Sequence, residues 1–212
     1  MEMKRYIVLP LALLSMSWAS WGQPAGYSPY LAIDSLAQAL QVRNAELHRI
    51  AADFVQEEHS PLLAEVGRSS GRFYLQVERG VYFDYQQPEE SKLIAYSDSV
   101  LILAGGERQV IRFGGRGRGN PMGQMLELTL LRDLGKLKGR YALDVYRGNA
   151  GYLIVLRPRR REVVKLIEKI SIYLRAEDLA VSRIELSLPG GSRTSYEFTN
   201  QQFNLQLPEW PQ

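Results

Sequence analysis

The sequence predicts a mainly β, α+β domain in which an antiparallel sheet is interrupted by one apolar helix. Three observations predict it. Apolar and polar residues alternate over many short segments, the period of a half-buried strand. These segments recur about every ten residues, with Gly, Asn or Asp between them, as in a meander. Two other stretches change to the helical period of 3.6. The chain has 212 residues, 45% hydrophobic and 23% charged. That composition suits a folded domain with its own core and excludes a disordered chain, a collagen-like fibre and a coiled coil.

Residues 1–22 read as a secretory leader. Lys4 and Arg5 give a basic start, Ile7–Leu14 is apolar apart from Pro10, and small residues follow at Ser15, Ser17, Ala19, Ser20 and Gly22. Cleavage after Ala19 or Gly22 fits the small-residue rule. The apolar run is too short to span a bilayer, which takes about 18 residues or more. A soluble, exported protein is therefore expected, with one domain over 23–212.

Gln23–Pro29 reads as a loose arm. Asp34 stands as a candidate N-cap before Leu36, Leu40, Ala45 and Leu47, so a helix is expected over 34–49, packed on a sheet edge and without chemistry of its own. Phe54 and Gln56 open the first strand. In Arg72–Val77, Phe73, Leu75 and Val77 share one face, and Val81, Phe83 and Tyr85 repeat the pattern after the Arg79-Gly80 turn. Strands follow at 92–96, 99–104 and 108–113, punctuated by Ser97-Asp98 and Gly105-Gly106. The glycine-rich, cationic run 114–119 then leads past Pro121 into an apolar stripe of Met122, Met125, Leu126, Leu130 and Leu134. A helix over 121–134, hinged by glycines and more apolar than a surface helix needs, must cover something. Five more strands are expected at 141–146, 152–156, 169–175, 179–188 and 194–199, with an extended aromatic tail over 203–210.

Several chemistries have no support. With no cysteine, disulfides, thiolate metal sites, thiol nucleophiles and a lipidated N-terminal cysteine are excluded. His48 and His59 fall on different elements. Asn120 stands where a phosphate-binding loop would need Lys. Glu57-Glu58 and Glu89-Glu90 are adjacent pairs that point to opposite strand faces, which is wrong for a glycosidase pair. No metal-ligand spacing appears, and a net charge of +3 does not imply nucleic acid. The expectation is a non-enzyme with no cofactor, no metal and no nucleic-acid partner.

The order leader, amphipathic helix, six strands, apolar helix, five strands resembles the periplasmic lipoprotein carrier family LolA. The residues that carry the resemblance are Phe54-x-Gln56, Gly71-x-Phe73-Tyr74-Leu75, Val81-Tyr82-Phe83-x-Tyr85 with Gln87-Pro88-Glu89, and Ser195-Tyr196-Glu197-Phe198 followed by Asn200 and Phe203. It covers most of 34–207. The resemblance implies an incomplete, strongly curved antiparallel half-barrel of about 11 strands, with the N-terminal helix and a central lid helix over a hydrophobic cavity. It also implies a periplasmic carrier that holds the acyl chains of lipoproteins. Cargo would come from an inner-membrane ABC-type release complex and pass to an outer-membrane lipoprotein receptor. A carrier of another amphiphile, such as a glycolipid, and a module that senses lipoproteins are the alternatives. The family's Arg-Pro latch is not at its usual place, which Val77-Glu78 occupies; it is moved to Arg79, replaced or missing.

The expected cavity lining is Phe54, Phe73, Leu75, Val77, Val81, Phe83, Tyr85, Leu101, Leu103, Tyr196 and Phe198. The expected lid residues are Met122, Met125, Leu126 and Leu130, since flexible thioethers suit a surface that repacks. Arg79, Arg116, Arg118, Arg157, Arg159, Arg160 and Arg161 are candidates for latching, or for docking to a negative partner or to lipid headgroups. A monomer is expected.

Overall fold

A computed structural model describes residues 24–62, 65–77, 79–96, 98–112, 131 and 133–211. Its twelve strands form one sheet: β1 (Tyr27–Pro29), β2 (Arg49–His59), β3 (Gly67–Gln76), β4 (Gly80–Gln87), β5 (Ser91–Ala95), β6 (Ser99–Ala104), β7 (Glu107–Arg112), β8 (Tyr141–Gly148), β9 (Gly151–Pro158), β10 (Lys169–Arg175), β11 (Val181–Ser187) and β12 (Arg193–Phe203). The order is β1-β8-β9-β10-β11-β12-β2-β3-β4-β5-β6-β7 and every neighbouring pair runs antiparallel. The six-then-five strand order thus stands, with one addition. The Tyr27–Pro29 arm is a short strand, because its backbone pairs with the free edge of β8 at Tyr146–Gly148.

The sheet is curved and unclosed, with β1 and β7 as its edges. Ring contacts report the curvature. Phe83 on β4 and Tyr196 on β12 are three strand positions apart, about 14 Å in a flat sheet. Their ring centroids lie 5.6 Å apart, so the strands must curl toward one face. Gly71 makes room for this. A Cβ there would stand 1.9 Å from the Asp84 carbonyl oxygen, and the β3–β4 register shifts between Ser70 and Gly71.

Among the described residues, three short α-helices accompany the sheet. Helix α1 (Ile33–Asn44) turns Leu36, Leu40 and Asn44 inward, a stripe at i, i+4 and i+8. Its N-cap is Ala32, which makes no side-chain cap. Asp34 lies instead in the first turn and accepts from Lys138 Nζ at 3.2 Å. The helix stops at Asn44 rather than 49 because Asn204, from the end of β12, captures the backbone beyond it. Its Oδ1 accepts from the His48 and Arg49 amides at 2.9 and 3.3 Å, and its Nδ2 donates to the Glu46 carbonyl at 3.0 Å. Helix α2 (Leu134–Arg140) starts where the expected 121–134 helix was to end, capped by Asp133 accepting from the Lys136 amide at 3.0 Å. Helix α3 (Arg161–Val164) is a single turn that starts at the last residue of the arginine run.

One hydrophobic cluster joins Leu36 and Leu40 of α1, Leu134 and Leu137 of α2 and Leu131 to the inward face of β2–β4 and β8–β12. A second cluster lies on the outward face of β4–β6, where Tyr82, Ile94 and Leu101 receive Trp210 of the C-terminal tail. Among the described residues, no helix is long and apolar enough to cross a membrane.

Candidate functional site

The inward face of β12, β2, β3 and β4 is a continuous apolar surface rich in aromatic rings. It is built by the two-residue period: Ile50, Ala52 and Phe54 on β2, Phe73 and Leu75 on β3, Val81, Phe83 and Tyr85 on β4, Tyr196 and Phe198 on β12. Phe54 meets Phe83 at 5.2 Å and Tyr85 at 5.1 Å, both nearly perpendicular. Phe73 lies 5.0 Å from Phe83 and 4.9 Å from Phe198. These are the edge and tilted geometries that aromatic quadrupoles favour.

Of the eleven residues expected on this face, nine are brought together: Phe54, Phe73, Leu75, Val77, Val81, Phe83, Tyr85, Tyr196 and Phe198. Leu101 and Leu103 are corrected. They point outward and pack with Tyr82, Ile94 and the tail, while Val100 and Ile102 of the same strand face the interior. A run of four apolar residues, Val100–Leu103, carries no period-two contrast, so its facing could not be read from the sequence. The helix expected merely to pack on a sheet edge is corrected too. Leu36 and Leu40 of α1 join the interior cluster itself.

The interior face is covered in this conformation. Phe54, Phe73 and Phe83 are 1% exposed and Leu75 and Val81 fully buried. Beside Arg43 and Phe203 remains a cavity of about 10 Å³, also lined by Ile50, Ala52, Phe73 and Phe198, which is room for about one water. An open depression of about 450 Å³, whose lining includes Tyr173, Leu174, Arg183, Phe198 and Asn200, lies by β10–β12.

The face ends in polar groups where β2 approaches its last residues. The Tyr85 hydroxyl donates to Gln56 Oε1 at 2.7 Å, and the Gln56 amide donates to Glu58 Oε1 at 2.6 Å. Burial, and after it the Glu58 carboxylate, pushes the Tyr196 phenol up to about 12. Burial raises Tyr85 in the same direction, with Tyr196 and Glu58 adding to it. Both phenols therefore stay protonated at neutral pH and can donate hydrogen bonds.

At the opposite end, α1 is held by Arg43. Its Nε donates to the Asp178 carbonyl at 3.0 Å, a terminal nitrogen donates to Asn44 Oδ1 at 2.5 Å, and the guanidinium lies 4.7 Å from the Phe203 ring centroid. Sequence reasoning passed over Arg43, because nothing local marks a helix-end arginine as reaching a turn 135 positions away.

The expected latch residue Arg79 does not reach the interior. Its guanidinium lies over the Trp210 ring, 4.8 Å from the centroid, and so holds the tail to the outward face. Arg157 pairs with Asp144 across β8–β9. Arg159, Arg160 and Arg161 are exposed in the β9–β10 connection. The lid residues Met122, Met125, Leu126 and Leu130, with Arg116 and Arg118, lie outside the described residues, as does the leader 1–22. Among the described residues, no three His, Cys, Asp or Glu side chains gather as a metal site.

The model of the family described as outer membrane lipoprotein carrier protein LolA matches residues 45–209. A search of curated proteins finds no match. Among solved structures, the chain is similar to a LolA superfamily protein from Nitrosomonas europaea (10% identity, 81% of this chain and 94% of that one, TM-score 0.42). It is also similar to the lipoprotein LppX of Mycobacterium tuberculosis (8%, 82% and 98%, 0.44) and to a DUF1329 family protein from Desulfovibrio piger (12%, 82% and 94%, 0.43). The family match, spanning both wings of the curved sheet and its aromatic face, means that the chain belongs to the outer membrane lipoprotein carrier protein LolA family.

Proposed function

We propose that this protein is a periplasmic carrier that takes the acyl chains of lipoproteins onto the aromatic face of β12, β2, β3 and β4 and shuttles them from the inner to the outer membrane. The observation that carries this reading is that continuous apolar face, covered by short helices, in a chain of the lipoprotein-carrier family. Residues 1–22 are the export signal and 23–212 the working domain. An inner-membrane ABC-type complex supplies the cargo, and an outer-membrane receptor accepts it.

The physics asks for no catalysis. Each exposed methylene of an acyl chain costs about 0.8 kcal/mol in water, so two or three long chains cannot cross an aqueous space bare. Carrier interior and bilayer are both apolar, so transfer between them is near balance. What the carrier needs is a covered state and an open state separated by a few kcal/mol. The covered state keeps Phe54, Phe73 and Phe83 from water when no cargo is present. Tyr85, Tyr196 and Gln56 offer hydrogen bonds at the end of the face, where the polar linkage of an acylated molecule would sit.

Depleting the protein in its own host should make lipoproteins accumulate in the inner membrane; unchanged sorting would refute the shuttle. The position of Arg79 on the outward face, against Trp210, favours a second reading. A carrier whose cover is held by something other than that arginine can serve a different amphiphile, such as a glycolipid. In that case depletion leaves lipoprotein sorting intact and strands the glycolipid.

A further inference from the structure

The connections at one end of the sheet gather exposed apolar residues and unpaired cations. Ladder pairing puts them there. Lys169 pairs with Ser187, Ser187 with Arg193, Arg193 with His59, and Glu58 with Gly67. The β9–β10, β11–β12 and β2–β3 connections therefore leave the sheet side by side. The last two also approach closely, since a Cβ on Gly191 would lie 3.2 Å from Pro61 Cγ. In the β2–β3 connection Leu62 is 93% exposed, and in the β9–β10 connection Leu166 is 67% and Val164 41% exposed. Around the latter two stand Arg159, Arg160, Arg161 and Lys165, all exposed and, among the described residues, in no ion pair. The acidic groups of the same connections are Glu162, Glu168 and Glu65. Glu89 and Glu90, in the β4–β5 connection, mark the far border of the basic region.

Exposed leucines on the same end of the sheet as exposed cations that, among the described residues, make no ion pair have the chemistry of an interfacial anchor. We infer that this end of the half-barrel is a docking surface for an anionic lipid bilayer, with Leu166, Val164 and Leu62 entering the headgroup boundary and Arg159–Arg161 and Lys165 meeting the lipid phosphates. A bilayer fits better than an acidic protein partner because the apolar groups come from two separate connections, Leu62 and Val66 from one and Val164 and Leu166 from the other, and line neither of the cavities described above. The location adds a reason. The polar end of the interior face, at Gln56, Glu58, Tyr85 and Tyr196, lies at this same end of β2, β4 and β12. A docked molecule would turn that polar end toward the membrane. Docking stands independently of what the interior carries.

Vesicle flotation with the leaderless protein tests it. Vesicles of phosphatidylcholine alone are compared with vesicles containing about one-third phosphatidylglycerol, at low and at high salt. The protein should float with the anionic vesicles at low salt, and at least tenfold less with neutral vesicles or at high salt, because surface attraction is screened within about a nanometre. Joint replacement Arg159→Glu, Arg160→Glu and Arg161→Glu should reduce binding by more than tenfold. Leu166→Asp should lower binding at every salt concentration, with the circular dichroism spectrum unchanged. Equal binding to neutral and anionic vesicles, no binding to either, or a triple variant that floats like the parent would each overturn the inference. The salt and lipid comparisons need no variant, so a misfolded substitution leaves the test standing. Uptake of a fluorescent fatty acid, measured without vesicles, reports separately on the carrier reading.

Discussion

Gly71 shows how a single residue sets the shape of the interior. It faces Phe54 on β2 and Tyr85 on β4, and those two rings close over it at 5.1 Å. Because a Cβ would collide with the Asp84 carbonyl, Gly71→Ala should cost about 2 kcal/mol or more in chemical denaturation, a loss in the range of forced backbone shifts; a cost near zero would mean the β3–β4 pair has slack. Asp53 supplies a pH dependence. Hydrogen bonds from Asn200 and then Arg72 hold its carboxyl below the ordinary 3.8. A lowered folded-state value contributes stability above the unfolded value, and this is lost as pH falls through the folded one. Asp53→Asn should therefore be less stable than the parent at pH 7, by under about 1 kcal/mol because the pair is part-exposed. The gap should close below pH about 4. A gap that is constant with pH would assign the effect to packing. At this scale the period-two pattern identified nine interior residues, because Phe73, Leu75, Val81 and Phe83 alternate with clearly polar or differently packed neighbours. It failed at Leu101 and Leu103, where both faces of β6 are apolar. The contact between Arg79 and Trp210 could not be read from any local pattern, because Trp210 comes from the far end of the chain.

Among the elements, α1 has the arrangement of a cover. Two leucines seat it on the interior cluster and Arg43 ties its end to the β10–β11 turn and Phe203. If α1 closes the interior, Leu40→Ala should do two things together. Stability should fall by about 2–4 kcal/mol, as expected for a truncated buried leucine, and uptake of a fluorescent fatty acid should become faster in stopped flow. Lower stability with an unchanged uptake rate would make α1 ordinary core. Element boundaries were legible where composition changes sharply. β6 and β10 were read to the residue, β6 because Ser97-Asp98 and Gly105-Gly106 bracket a Val/Leu/Ile run. β1 was not legible, since Tyr27-Ser28-Pro29 has no period and becomes a strand only through the β8 edge. The end of α1 was also hidden, because it is decided by Asn204. α2 escaped because Gly135 and Gly139 look like breakers, whereas Asp133 caps the turn and Leu134 and Leu137 anchor it.

Taken whole, the molecule is a curved sheet whose two faces have different tasks. Inward, the aromatic surface is covered by α1 and α2 and ends in hydrogen-bonding groups. Outward, the tail seals the side chains of β4–β6 with Trp210. The half-barrel with an N-terminal helix was expected from the family resemblance; in the carrier reading, the side chains that pack against one another in the covered state are the ones that would line the cavity. The most direct measurement is native mass spectrometry of the protein purified from the periplasm of its own host. The carrier account predicts a population heavier than the bare chain by the mass of an acylated molecule, lost when Phe83→Asp places a charge on the aromatic face of a protein that still folds. Bare chain alone, together with no uptake of a fluorescent fatty acid in solution, would contradict it.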